Sequence, residues 1–111
     1  MRARRRSGYG DVEDLAPRVE FTDHAKNRLK ERIVSREEVE AVINNPNTTY
    51  FDILTERFVS IGSRMSKPGH WLIVVYERRN QLRRVISIID GTTIEKIARS
   101  RVAKGRWLIV R

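Results

Sequence analysis

"WLIVVYERRNQLRRVISIID", residues 71–90, decides the fold. Trp71 to Tyr76 is apolar without a break, which predicts a central strand covered on both faces. Asn80-Gln81 sits where a hairpin turn is needed, and Leu82–Ile89 returns as a second central strand. Asp90-Gly91 ends it. The arginine pairs Arg78-Arg79 and Arg83-Arg84 flank the turn. Because side chains alternate along a strand, Arg83 and Arg84 point to opposite faces.

Upstream of this hairpin the period is helical. Arg18-Val19-Glu20-Phe21 predicts a short strand, and Thr22 caps the helix after it. Ala25, Leu29 and Ile33 recur every four residues and define that helix's core face. His24, Arg28 and Arg32 form a parallel stripe about 100° away, on the flank of the apolar face. Ser35 and Glu38 form a capping box for a second helix, whose apolar positions are Val39, Val42 and Ile43. Asn44-Asn45-Pro46 stops it. Thr48–Leu54 and Arg57–Ser63 then alternate as strands, and "RMSKPGH", residues 64–70, reads as a loop marked by Pro68-Gly69.

Downstream, Thr92 with Glu95 matches a further capping box. Ile94, Ile97, Ala98 and Val102 give a third amphipathic helix, Gly105 suits its C-cap, and "RWLIVR" closes the chain as a strand. The expected architecture is α+β: a helical hairpin and a C-terminal helix packed on an antiparallel sheet of about five or six strands. Residues 1–16, rich in arginine and then in acids, show no apolar period and are expected to form a flexible tail, leaving residues 17–111 as one domain.

Composition narrows the function. The chain has 111 residues, enough for one domain with a real core. There are no cysteines, which removes disulfides and thiolate metal sites and fits a reducing compartment. The longest apolar run is far short of the ~20 residues of a membrane helix. "MRARRRSGYG" has no apolar stretch behind it, and Asp11, Glu13 and Asp14 follow, so neither a secretory signal nor a transit peptide is expected. The expected location is the cytoplasm, with no membrane partner. The formal net charge is +9, with residues 50–90 contributing +3 and residues 91–111 contributing +5. A polyanion is the natural partner of such a surface. Two histidines far apart in sequence give no metal-ligand spacing, and no glycine-rich phosphate loop is present, so neither a metal nor another cofactor is expected.

Residues 21–46, "FTDHAKNRLKERIVSREEVEAVINNP", resemble a prokaryotic family of unknown function. Its members open with a His-Ala-x-x-Arg-x-x-x-Arg helix followed by a Ser-x-x-(Glu/Asp) helix. The ending "ARSRVAKGRWLIVR" is similar to the same family. The middle, "ERFVSIGSR…HWLIVVYERR…RRVISII", resembles BrnT-like toxins of the RelE-like ribonuclease superfamily. This resemblance implies a RelE-like fold and a toxin-type endoribonuclease that cuts messenger RNA without a metal and is silenced by a cognate acidic antitoxin.

Cleavage of that kind needs a proton-transfer group and cations for the charge of the pentacoordinate phosphorus. His24, Arg28 and Arg32 are the expected catalytic set. Arg79, Arg83, Arg84, Lys96 and Arg99 are the expected nucleic-acid-binding set. His70, in the loop before Trp71, reads as incidental. Two other readings stand beside the enzyme: a non-catalytic nucleic-acid-binding or regulatory module using the same basic groove, and a domain whose arginines meet an acidic protein.

Overall fold

A computed structural model describes residues 17–110. The proposed 1–16 tail lies outside the described residues. The elements are β1 (Arg18–Phe21), α1 (Asp23–Arg32), α2 (Arg36–Asn44), β2 (Thr48–Asp52), β3 (Arg57–Ser63), β4 (Trp71–Arg79), β5 (Leu82–Gly91), α3 (Ile94–Ala103) and β6 (Trp107–Ile109). The fold is α+β, and the six strands form one sheet in the order β1-β5-β4-β3-β2-β6. The sheet is mixed rather than wholly antiparallel, because β1 runs parallel to β5. The order of the chain explains this. β1 enters from the side of the hairpin turn, with Arg18 opposite Leu82, and leads straight into α1.

The apolar run of β4 serves two cores. Leu72, Val74 and Tyr76 pack with Phe21, Ala25, Val39, Val42 and Ile43 under α1 and α2. Ile73 packs on the other face with Val59, Ile61, Ile94, Ala98 and Trp107 under α3. On β5, Val85 and Ile88 share the α1–α2 side although they are three residues apart. A bulge explains it: Val75 pairs with Ser87 and Tyr76 with Val85, so Ile86 is the extra residue. Gly62 allows α2 to approach β3 closely, since a Cβ there would lie 3.1 Å from Val42 Cγ2.

Five local expectations are corrected. Ile33 is not a core residue: α1 ends at Arg32, and Ile33 takes the left-handed conformation (φ 54°) as the helix cap with its side chain 86% exposed. The chain reversal there delivers the next residue, Val34, to the core in its place. The Thr92–Glu95 capping box does not form; α3 starts after Thr93, which makes no side-chain cap bond. Ile97 is 44% exposed, on the outer flank of α3. β2 stops at Asp52 rather than Leu54, because the Asp52 carboxylate accepts hydrogen bonds from the Leu54 and Thr55 amides and turns the chain. The Ser35–Glu38 capping box forms by half, because the Glu38 carboxylate accepts from Arg64 and Ser66 and not from the Ser35 amide. Thr22 and Ser35 cap α1 and α2 by accepting from the Ala25 and Glu38 amides. Gly105, at φ 73°, closes α3 by donating to the Val102 carbonyl while Arg106 donates to the Arg101 carbonyl.

Candidate functional site

The β4–β5 hairpin positions the cations. Its two-residue turn, Asn80-Gln81, sets Arg79 opposite Leu82, Arg78 opposite Arg83 and Glu77 opposite Arg84. Directly opposed side chains share a face. Arg78 and Arg83 therefore project together on the α1–α2 side, two residues beyond the buried Tyr76 and Val85. Glu77 and Arg84 project on the α3 side.

The two faces are treated differently. On the α3 side Glu77 lies 3.9 Å from Arg57 and 4.0 Å from Arg84, so the cations there have an acid among them. On the other side neither Arg78 nor Arg83 has a carboxylate partner among the described residues. Arg78 lies over the Phe58 ring, 4.5 Å from its centroid. Arg83 donates to the Asn80 and Leu82 carbonyls of its own turn at 2.9 and 3.2 Å. Partial burial, and then the positive charge of Arg78, lower the proton affinity of the Arg83 guanidinium. Both arginines line a cleft of about 200 Å³, walled by Asn44 and Pro46 after α2, Thr49 of β2 and Tyr76 of β4. Behind it the Tyr76 hydroxyl is hydrogen-bonded to Ser60 Oγ (2.8 Å), and Ser60 Oγ to Thr49 Oγ1 (3.1 Å). That chain satisfies the buried hydroxyls and holds the cleft floor rigid.

The expected nucleic-acid-binding set is divided. Only Arg83 lines this cleft. Arg79 and Arg84 line a separate hollow of about 490 Å³ that also contains Glu20, Asp23 and Glu77. Lys96 and Arg99 are exposed on α3, which covers the opposite face of the sheet. Arg78 is the residue missed. The hairpin register carried the signal: a two-residue turn after Arg79 pairs residue 78 with residue 83.

The expected catalytic set stays on α1. His24 and Arg32 are exposed and make no side-chain hydrogen bond or ion pair among the described residues, while Arg28 pairs with Glu31 at 2.7 Å. None of the three lines the Arg78–Arg83 cleft. The histidine with a built environment is His70. Its Nδ1 lies 2.7 Å from Asp90 Oδ1. Burial alone raises the Asp90 carboxyl, but hydrogen bonds from His70 and Arg64, with the charges of His70 and Lys67, carry it below the ordinary aspartate value. An ionised Asp90 only accepts, so His70 donates through Nδ1 and its Nε2 is left for another partner. Arg64, 4% exposed, organises this end of the sheet. It donates to both Glu38 oxygens at 3.0 and 3.1 Å, to Asp90 Oδ2 at 2.8 Å and to the Ile33 carbonyl at 3.2 Å. Sequence alone gave no reason to join residues 33, 38, 64, 70 and 90, which meet only when the sheet and helices assemble.

Among the described residues no cluster of three or more histidine, aspartate or glutamate side chains is placed to hold a metal ion. No helix among them is long and apolar enough to cross a membrane.

These features define a small α+β domain whose central hairpin carries an arginine pair that meets no carboxylate among the described residues. Residues 21–94, two thirds of the chain, match the family described as "Domain of unknown function (DUF4258)", and the protein belongs to that family. Searches among curated proteins and among solved structures gave no match.

Proposed function

We propose that this domain binds RNA, with a phosphate seated between Arg78 and Arg83. The observation that carries this reading is the pairing itself. Two guanidinium groups stand opposite one another on neighbouring strands, in a cleft, with no carboxylate partner among the described residues. Like charges in that position destabilise a sheet, and a bound phosphate reverses the sign of the interaction through paired N–H donors. The net charge of +9 supports a polyanion ligand, and the resemblance to RelE-like proteins supports RNA over DNA. The test is equilibrium binding of a single-stranded RNA across a salt series. Arg78→Gln and Arg83→Gln should each weaken binding and reduce the salt slope by about one phosphate contact. Arg99→Gln, on the far face, should leave both nearly unchanged. Equal affinities for all three variants and the parent would reject the cleft.

A second reading is favoured by His70. A histidine aligned by a buried carboxylate, with Nε2 directed away from that partner, is suited to move a proton without a metal. It supports the toxin-type, metal-independent endoribonuclease reading, in which a cognate acidic antitoxin covers the basic surface. RNA cleavage in the presence of a chelator, lost in His70→Gln, is the expected result. Loss in His24→Gln instead would return the proton-transfer role to α1 and its Arg28 and Arg32.

A further inference from the structure

We infer that the Arg78–Arg83 cleft is built for a terminal phosphomonoester of RNA, a dianion, rather than for an internal phosphodiester. This rests on the reading of the cleft as an RNA phosphate site and names the form of phosphate it takes.

The charge balance is the first argument. Two full positive charges sit opposite each other, and among the described residues no acid pairs with either. An internal phosphodiester brings one negative charge and leaves one guanidinium uncompensated. A phosphomonoester brings about −1.5 to −2 at neutral pH, matching the pair. The contrast with the other face of the same hairpin is direct, because there one glutamate already lies among the arginines.

Shape is the second argument. At about 200 Å³ the cleft is less than half the size of the mixed-charge hollow beside β1, and of the hollow of about 620 Å³ beside α2. Asn44, Pro46, Pro17 and Val110 line it beside the arginines. A hollow of that size takes a phosphate group and little of the nucleotide that carries it, and an end group asks less of it than an internal phosphate, which continues into a nucleotide on both sides. Preorganisation points the same way. Arg78 is held over Phe58, and Arg83 is tied to two carbonyls of its own turn, so both forks are already positioned. Partial burial of Arg83 strengthens any contact it makes with an anion.

The experiment compares one short RNA sequence carrying a 5′-phosphate, a 3′-phosphate or hydroxyl ends, bound to the full chain, with inorganic phosphate as competitor and a phosphoserine peptide as a further probe. One of the two phosphorylated RNAs should bind at least ~10-fold more tightly than the hydroxyl-ended RNA. That gain should grow from pH 5 to pH 7, as the end phosphate, with a second pKa near ~6, takes its second charge. It should disappear in Arg83→Gln and shrink in Arg83→Lys, which keeps the charge but loses the fork. Arg78→Gln gives the same test should Arg83→Gln fail to fold, and the three-way comparison on the parent protein stands without either variant. Equal binding of all three RNAs overturns the inference and leaves the RNA-binding reading intact. No RNA binding at low salt overturns both. A phosphoserine peptide that outcompetes every RNA also overturns the inference and makes the cleft a phosphoprotein site.

Discussion

Arg78 and Arg83 are cross-strand partners on the central hairpin, on the same side of the sheet as the α1–α2 core, and neither meets a carboxylate among the described residues. Opposed like charges on a sheet are unfavourable by a few tenths to about 1 kcal/mol. The arrangement is therefore a local cost in the ligand-free protein, and it sits where a cleft opens. Arg78→Thr should raise the unfolding free energy by up to about that amount while weakening RNA binding. Chemical denaturation and a binding titration of the same variant measure both. A variant that loses stability and keeps its affinity would show that Arg78 is there for packing on Phe58.

Arg64 is the opposite case: a buried cation held by two carboxylates and a backbone carbonyl. Asp90→Ala removes a charged acceptor from both Arg64 and His70 while Glu38 still holds Arg64, so it should destabilise the fold by about 2–4 kcal/mol, several times the effect of deleting the exposed Arg28–Glu31 pair. Denaturant midpoints for Asp90→Ala and Glu31→Ala give the comparison. Similar small losses in the two would mean that the Arg64 network is wet and weak.

Acid should unfold the domain through two carboxylates. Asp90 titrates below the ordinary value for the reasons given above. Asp52 does so because hydrogen bonds from Arg106, Thr55, Trp107 and Leu54 together outweigh the upward push of burial. A depressed folded-state pKa means that their contribution is fully present above the unfolded-state value, about 3.9, and drains away as the pH falls through the lower folded values. Stability measured from pH 6 downward should hold until about pH 4 and then drop. Asp52→Asn should be less stable at neutral pH and lose less below pH 4. A stability curve with the same acid limb in parent and variant would assign the acid transition to other groups.

Ile33 is a β-branched residue in the left-handed region with its side chain in solvent. Such a residue is strained by about 1–2 kcal/mol, and glycine is not. Ile33→Gly gives up little burial and loses some stability through the freer unfolded chain, so the net expectation is a gain of up to about 1 kcal/mol. A thermal melt decides it. A clear loss would mean that the exposed side chain contributes a contact or that the Arg64 bond to the Ile33 carbonyl needs a stiffer backbone.

Much of this architecture was legible from residue pattern. The continuous apolar run of Trp71–Tyr76 announced a doubly covered strand, and period-four and period-two segments gave the helices and their neighbours in the right order. The capping residues Thr22 and Ser35 marked two helix starts correctly, because a cap is a contact within one turn of chain. Thr92 matched the same pattern and failed, since nothing in four residues shows that the chain leaves β5 in a conformation that delays the helix to Ile94. The parallel pairing of β1 was not legible either, because it depends on where the hairpin turn sits in space. The site divides along the same line. Arg83 was visible as one of an arginine cluster, and Arg78 follows from the register of a two-residue turn. The His70–Asp90–Arg64–Glu38 network joins side chains up to 26 positions apart along the chain in its closest bonds, and only the assembled sheet brings them within 3 Å of one another.

Whether RNA phosphate seats between Arg78 and Arg83 is read by following the guanidinium Nε–H resonances of the arginines by nuclear magnetic resonance while a short single-stranded RNA is titrated in. The Arg78 and Arg83 signals should move and become protected from exchange, while those of Arg79 and Arg84, already near carboxylates on the other face, stay where they are. Movement confined to Arg79 and Arg84, with Arg78 and Arg83 unchanged at saturating RNA, would contradict that seating.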